Sequence, residues 1–352
     1  GLGDVYKRQL YPFKQYGDSG TWVSDRLPHF SQIVDEVSFL KAMHTDEFNH
    51  APAQLLLHTG FPRLGRPSMG SWVTYGLGSE NENLPAFIVL VSGGKTPSAG
   101  KSIWGSGFLP SIYQGVQCRS QGDPVMYLSD PKNLSRGLKE KIINGINKLN
   151  EKHYNEVGDP ETLTRIAQYE MAFRMQTSVP ELTDVSREPQ HILDMYGAKP
   201  GDGSFASNCL LARRLVENDV RMVTINSFLT VFDQLSWDIH GSKPFISVKQ
   251  MKEQVAPMYD QGYSALIEDL HQRGLLDDTM VTTLSEFGRT PKVNPAGGRD
   301  HWPQCFTVSF AGGGVKGGQV VGKSDPIGGF PAERPIEPGD VVATIFHSLG
   351  LD

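Results

Sequence analysis

The run Phe87-Ile88-Val89-Leu90-Val91 is apolar at every position, without the polar alternation of a strand that keeps one wet face. It reads as a strand buried on both sides, which requires helices above and below the sheet that contains it. The C-terminal half continues that pattern. A helix near Ala206 to Asn218 precedes a strand from Arg221 to Asn226, and a long helix near Val248 to Arg273 precedes a strand from Thr279 to Leu284. Another strand, Phe306 to Phe310, comes next. Strand and helix alternating at this spacing predict right-handed βαβ units, hence an α/β fold with a mostly parallel central sheet.

Earlier in the chain, Ile33, Val37, Leu40 and Met43 recur at helical spacing, as do Ala53, Leu56 and Leu57, so two short helices are expected around the polar turn His44 to His50. Leu134, Leu138, Ile142, Ile146 and Leu149 mark a further helix, and Pro160-Glu161 begins another, Pro being well placed in a first turn. These helices form an insertion around 131–200. The 352 residues allow two domains, but no repeat or linker divides them, so one domain with a helical insertion is preferred.

Hydrophobic residues at 38% and charged residues at 20% exclude a disordered chain, and no apolar run approaches the roughly 18 residues of a membrane span. The net charge is −6 and no Lys/Arg cluster occurs, so nothing favours nucleic acid as a partner. Cys118, Cys209 and Cys305 are far apart and form no Cys-x-x-Cys pair. Asp4-Val5-Tyr6-Lys7-Arg8-Gln9 matches the translation of a transposase adapter used in sequencing libraries, so residues 1–9 are set aside as a scar. Residues 10–352 are expected to be a fragment of a longer protein, cut at both ends.

Ligands of open α/β sheets bind beyond the carboxyl ends of strands. Two polar clusters follow predicted strands: Ser236-Trp237-Asp238-Ile239-His240-Gly241 and Ser285-Glu286-Phe287-Gly288-Arg289-Thr290. A third, Gly298-Arg299-Asp300-His301-Trp302, precedes the Phe306 strand. Carboxylates and imidazoles converging from separate strand ends are the donors of a divalent cation such as zinc, so Asp238, His240, Glu286, Asp300 and His301 are candidate ligands. Each alone is weak, since a loop histidine is more commonly solvated or hydrogen-bonded than a ligand. Arg289 could fork onto an oxyanion or pair with Glu286.

The runs Gln54-Leu55-Leu56-Leu57-His58-Thr59-Gly60, Gly70-Ser71-Trp72-Val73-Thr74-Tyr75-Gly76-Leu77-Gly78 and Trp104-Gly105-Ser106-Gly107-Phe108-Leu109-Pro110 resemble a bacterial domain-of-unknown-function family, numbered 1501. Glu286-Phe287-Gly288-Arg289-Thr290-Pro291 and Gly298-Arg299-Asp300-His301-Trp302 carry the same resemblance, which extends from about Pro28 to Asp352. That family is usually placed in the alkaline phosphatase and sulfatase superfamily. The resemblance implies a three-layer α/β sandwich and metal-assisted ester hydrolysis. It also implies export to the periplasm or beyond.

Residue by residue, Asp238 and His240 match the superfamily's first ligand motif in kind, and His301 matches its later histidine. Glu286 stands where the Asp of an Asp-His pair belongs, with Phe287 in the histidine's place, so one metal site is favoured over two. Zinc is the expected ion, with calcium, magnesium or manganese as alternatives. In sulfatases the nucleophile opens a helix ending in Leu-Thr-Gly. Counting back from Leu57-His58-Thr59-Gly60 places His50 there, preceded by Asn49. No Cys-x-Pro-x-Arg run exists for a formylglycine, so His50 is the candidate for attack on phosphorus or for binding metal or an oxyanion. Ser68 and Ser71 are alternative hydroxyls, although beside Pro67 and Gly70 they fit turn chemistry better.

Two functions follow. The first is a metal-dependent hydrolase of phosphate, sulfate or related esters on a small molecule or glycan, with His50 and Arg289 as catalytic residues. The second is a non-catalytic relative that binds an anionic ligand, such as a sulfated glycan, or a protein partner.

Overall fold

A computed structural model describes residues 11–94, 96–118, 135–227 and 236–351. The adapter-like residues 1–9 lie outside the described residues. The apolar run is the strand β4 (Phe87–Val91), central in a three-stranded parallel sheet between β5 (Val116–Cys118) and β6 (Met222–Asn226). Its side chains alternate between two cores. Ile88 and Leu90 pack with Met175, Val179 and Leu182 of α4 (Pro160–Thr183) and with Leu211 and Leu215 of α6 (Phe205–Glu217). Phe87, Val89 and Val91 pack with Ile103, Trp104 and Leu55 of α1 (His50–Thr59). The sequence lacks polar alternation here because neither face meets water.

A four-stranded sheet runs β11 (Val320–Val321), β3 (Val37–Met43), β10 (Phe306–Ala311), β7 (Val281–Thr283). One set of its residues, including Val37 and Ala311, packs on α6 and on α8 (Ala256–Gln272). Another set, including Met43, Val308 and Phe310, packs on α9 (Pro338–Ser348). Before α8 the chain runs through α7 (Val248–Gln250) and a π-helical turn, Met251–Val255. The two-stranded sheets are β1 (Phe13–Tyr16) with β2 (Thr21–Ser24), β8 (Gly288–Arg289) with β9 (His301–Trp302), and β12 (Lys323–Ser324) with β13 (Pro331–Glu333). The remaining helices are α2 (Met69–Leu77), α3 (Arg136–Val157) and α5 (Gln190–Tyr196). No described helix is long and apolar enough to cross a membrane.

One expectation is overturned, and another is met only in part. The segment expected to be a helix over Ile33–Met43 is short 3-10 turns followed by β3. Val37, Ser38, Ala42 and Met43 are all buried, so β3 shows no period of two, and its apolar spacing imitates a helix. The sheet is also less parallel than expected: β10 runs antiparallel to both β3 and β7. A parallel return needs a crossover of a dozen or more residues, usually a helix, and the chain between β7 and β10 contains only loops and the β8–β9 ribbon.

That reversal positions the site. Met43 at the end of β3 pairs with Phe306 at the start of β10, while Ser309 pairs with Thr283 at the end of β7. Segments leaving β3, leaving β7 and entering β10 therefore meet at one edge.

Candidate metal centre

His50 opens α1 shortly after β3, and the turn between them is tied down by hydrogen bonds from the His44 N–H to Ile336 O and from the Thr45 N–H to Pro303 O. Asp238 and His240 follow β6, Glu286 follows β7, and Arg289 and His301 are cross-strand partners on the β8–β9 ribbon. Gly298 lets that ribbon's loop approach the Asp238 segment, because a Cβ there would lie 2.2 Å from both His240 C and Ile239 O. A hydrogen bond from the Arg299 N–H to Ile239 O, 2.7 Å, closes the same contact.

Asp238 is the hub, 2% exposed. Its Oδ2 lies 3.3 Å from His50 Nε2. Its Oδ1 lies 3.0 Å from His240 Nε2, 3.4 Å from His301 Nε2 and 2.6 Å from Arg289 Nη1. A guanidinium and two imidazole nitrogens converge on this one buried oxygen. Thus Arg289, expected either to hold an oxyanion or to pair with Glu286, pairs with Asp238.

The far side of each ring explains why the Nε2 atoms point inward. His50 Nδ1 lies 2.8 Å from Glu286 Oε1, His240 Nδ1 lies 2.9 Å from Asp300 Oδ1, and His301 Nδ1 lies 2.8 Å from the Phe48 carbonyl oxygen. Carboxylates and carbonyls only accept, so each Nδ1 carries the proton and donates it. In a neutral ring the Nε2 lone pair then faces Asp238. Three imidazoles each held this way around one carboxylate form a donor set for a cation, and His50, Asp238 and His301 offer ligand atoms within 4.8 Å of one another.

The charges in this cluster shift one another's protonation. Burial disfavours protonation of His50, but its bonds to Asp238 and Glu286 outweigh burial and push its pKa up to about 9. Burial likewise opposes ionisation of Asp238, yet bonds from His301 and His50 and the Arg289 guanidinium hold its pKa far below the usual carboxylate range. Glu286 is held down by His50 against the opposing effect of burial, and Asp300 chiefly by His240.

The structure thus brings together His50, Asp238, His240, Glu286, Arg289, Asp300 and His301. It does not bring in Asn49 or Ser68. Asn49 is exposed at the α1 N-cap without a side-chain capping bond, and Ser68 caps α2 through the Ser71 N–H. The Ser68 and Ser71 hydroxyls bond each other at 2.9 Å, and Ser71 donates to Gly105 O. Three contributors went unnoticed in the sequence. The Phe48 carbonyl is backbone and leaves no signal. Asn294, whose Nδ2 donates to His240 O and Asp300 Oδ1, sits in a loop without a pattern. Gln54, 3.5 Å from Glu286 Oε1, could have been found from its place four residues after His50 on one helix face.

The profile of a family described as "Protein of unknown function (DUF1501)" matches residues 3–352. The chain belongs to this family. No curated protein matches this DUF1501 member. Among solved structures it is similar to the PsFucS1 sulfatase from Pseudoalteromonas sp., at 13% identity and a TM-score of 0.42, covering 92% of this chain and 62% of that one. It is similar also to Ps i-CgsB in complex with k-i-k-neocarrahexaose, at 12% identity and a TM-score of 0.42, covering 93% of this chain and 67% of that one. The third is the phosphonate monoester hydrolase SpPMH from Silicibacter pomeroyi, at 12% identity and a TM-score of 0.36, covering 93% and 69%. The chain therefore spans about three fifths of the length of the first of these.

Proposed function

We propose that this protein holds one divalent cation at Asp238, His240, His301 and His50 and uses it to hydrolyse phosphate, sulfate or related esters. The observation that carries this reading is the set of three imidazoles turned on one buried carboxylate, each with its Nδ1 proton already committed. The buried Asp238 carboxylate supplies the anionic oxygen of that set. Three nitrogen donors and one oxygen suit zinc or a similar transition metal better than calcium or magnesium, which prefer all-oxygen shells. Such an ion polarises an ester oxygen or supplies hydroxide near neutral pH.

The chain's own groups have distinct parts in this scheme. Glu286, expected from the sequence as a ligand, instead orients His50; Asp300 and the Phe48 carbonyl orient His240 and His301 in the same way. Arg289, beside Asp238, is placed to receive negative charge developing on an ester oxygen. His50, expected either to attack phosphorus or to bind metal or an oxyanion, serves as a metal donor.

One observation favours the second reading, a non-catalytic metal site on an anion-binding protein. Four protein donors fill a tetrahedral ion, whereas catalytic zinc sites keep a position open. Turnover decides between them. Aryl phosphates and aryl sulfates are assayed with the wild type and Asp238→Ala, before and after chelation and zinc restoration. Hydrolysis that is lost in the variant and on chelation, then restored by zinc, supports the hydrolase. Stoichiometric zinc with no turnover on the whole panel supports the binding protein.

A further inference from the structure

His50, Gln54 and His58 recur every fourth residue along α1 and so share one helix face. Gln54 is 5% exposed, and its two ends are fixed by different partners. The Ala99 N–H can only donate, so the Gln54 atom 3.0 Å away is the amide oxygen, Oε1. Nε2 must then point the other way, where it lies 3.5 Å from Glu286 Oε1. That same carboxylate oxygen takes the His50 Nδ1 proton at 2.8 Å.

We infer that Gln54 is a positioning residue for the metal centre: anchored on the Ala99 N–H, its amide holds Glu286 Oε1 toward His50 and thereby keeps the His50 Nε2 atom facing Asp238. The inference rests on the metal-site reading above. Loss of the Gln54 donor removes a side-chain hydrogen bond from Glu286 Oε1, and with it a restraint on the His50 ring. The competing role is purely structural, in which Gln54 only satisfies the Ala99 N–H and pins that loop to α1.

Two variants separate the roles. Gln54→Glu keeps the length and an oxygen for Ala99 but presents a carboxylate to Glu286. Gln54→Met keeps the volume and loses both bonds. Zinc affinity is read by chelator competition, with the visible spectrum of the cobalt-loaded protein as a second readout. The expected result is affinity weakened by about tenfold or more in both variants, with an altered cobalt spectrum. Wild-type affinity and spectrum in Gln54→Glu would overturn the inference in favour of the Ala99 role alone. A metal-independent readout distinguishes this failure from failure of the metal reading: the His50 Nδ1 proton resonance of the zinc-free protein. It should move or broaden in Gln54→Glu, even if the wild type takes up no zinc, and an unchanged resonance overturns the inference. Should Gln54→Met not fold, Gln54→Glu carries both measurements.

Discussion

His240 and His301 present their Nε2 atoms to each other at 3.1 Å. Both rings have spent their Nδ1 proton on an acceptor, so two bare nitrogens would repel at this distance. The two Nε2 atoms converge beside the Asp238 carboxylate, which lies 3.0 Å from one and 3.4 Å from the other.

Metal analysis of the purified protein should find about one transition-metal ion per chain, falling close to zero in Asp238→Ala and His301→Ala. Added zinc should raise the melting temperature of the wild type alone, by the equivalent of about 2.7 kcal/mol when free zinc is 100 times its Kd. Near-zero metal and no thermal shift in all three proteins would remove the site.

Gly298→Ala should harm the centre without touching a ligand. The new methyl would press on the His240 backbone, and overpacking of this kind costs about 1–3 kcal/mol. Chelator competition should show zinc affinity weakened at least tenfold, and wild-type affinity would mean that the loop gives way instead.

Stability apart from the site should hinge on Arg213, 2% exposed. Its guanidinium lies 2.9 Å from Asp269 Oδ2 and 2.8 Å from Glu188 Oε2, and also meets Glu217. Its removal leaves the three acids with Arg273 or Arg214 as partners, so the cost falls short of the roughly 3–5 kcal/mol of a stranded buried charge, at about 1–3 kcal/mol. Urea titration of Arg213→Ala should show a loss of that size with zinc stoichiometry unchanged; a loss below about 1 kcal/mol would show that the remaining arginines suffice.

His58, partly buried on α1, has its pKa lowered by burial from 6.5 to about 4. The folded state therefore resists a proton that the unfolded chain accepts. Nothing is lost above pH 6.5, and stability falls as the pH drops from there toward 4. Relative to His58→Gln, the wild type should lose on the order of 2 kcal/mol across that window in urea titrations. Parallel pH profiles for the two proteins would contradict the lowered pKa.

Much of this is legible in the sequence. An uninterrupted apolar run such as Phe87–Val91 reads as a strand buried on both faces, and polar residues beside strand ends point to Asp238, His240, Glu286 and His301 because strand ends are where chemistry collects. The misses have physical causes too. β3 is buried on both sides, so hydrophobicity could not reveal its period. The reversal at β10 depends on what is absent between Glu286 and Cys305, namely a crossover helix, and short ribbons leave a faint pattern. Glu286 and His50 were both noticed, yet their pairing spans 236 positions, and no local spacing reports it.

The antiparallel placement of β10 also bears on the order in which the molecule assembles. His301 reaches a carbonyl 253 residues upstream, and it does so only once β10 has docked between β3 and β7. Pairings that distant close slowly because a long stretch of chain must first lose its freedom. The donors would therefore remain scattered through most of folding, and a metal ion would enter a nearly finished protein instead of guiding a forming one.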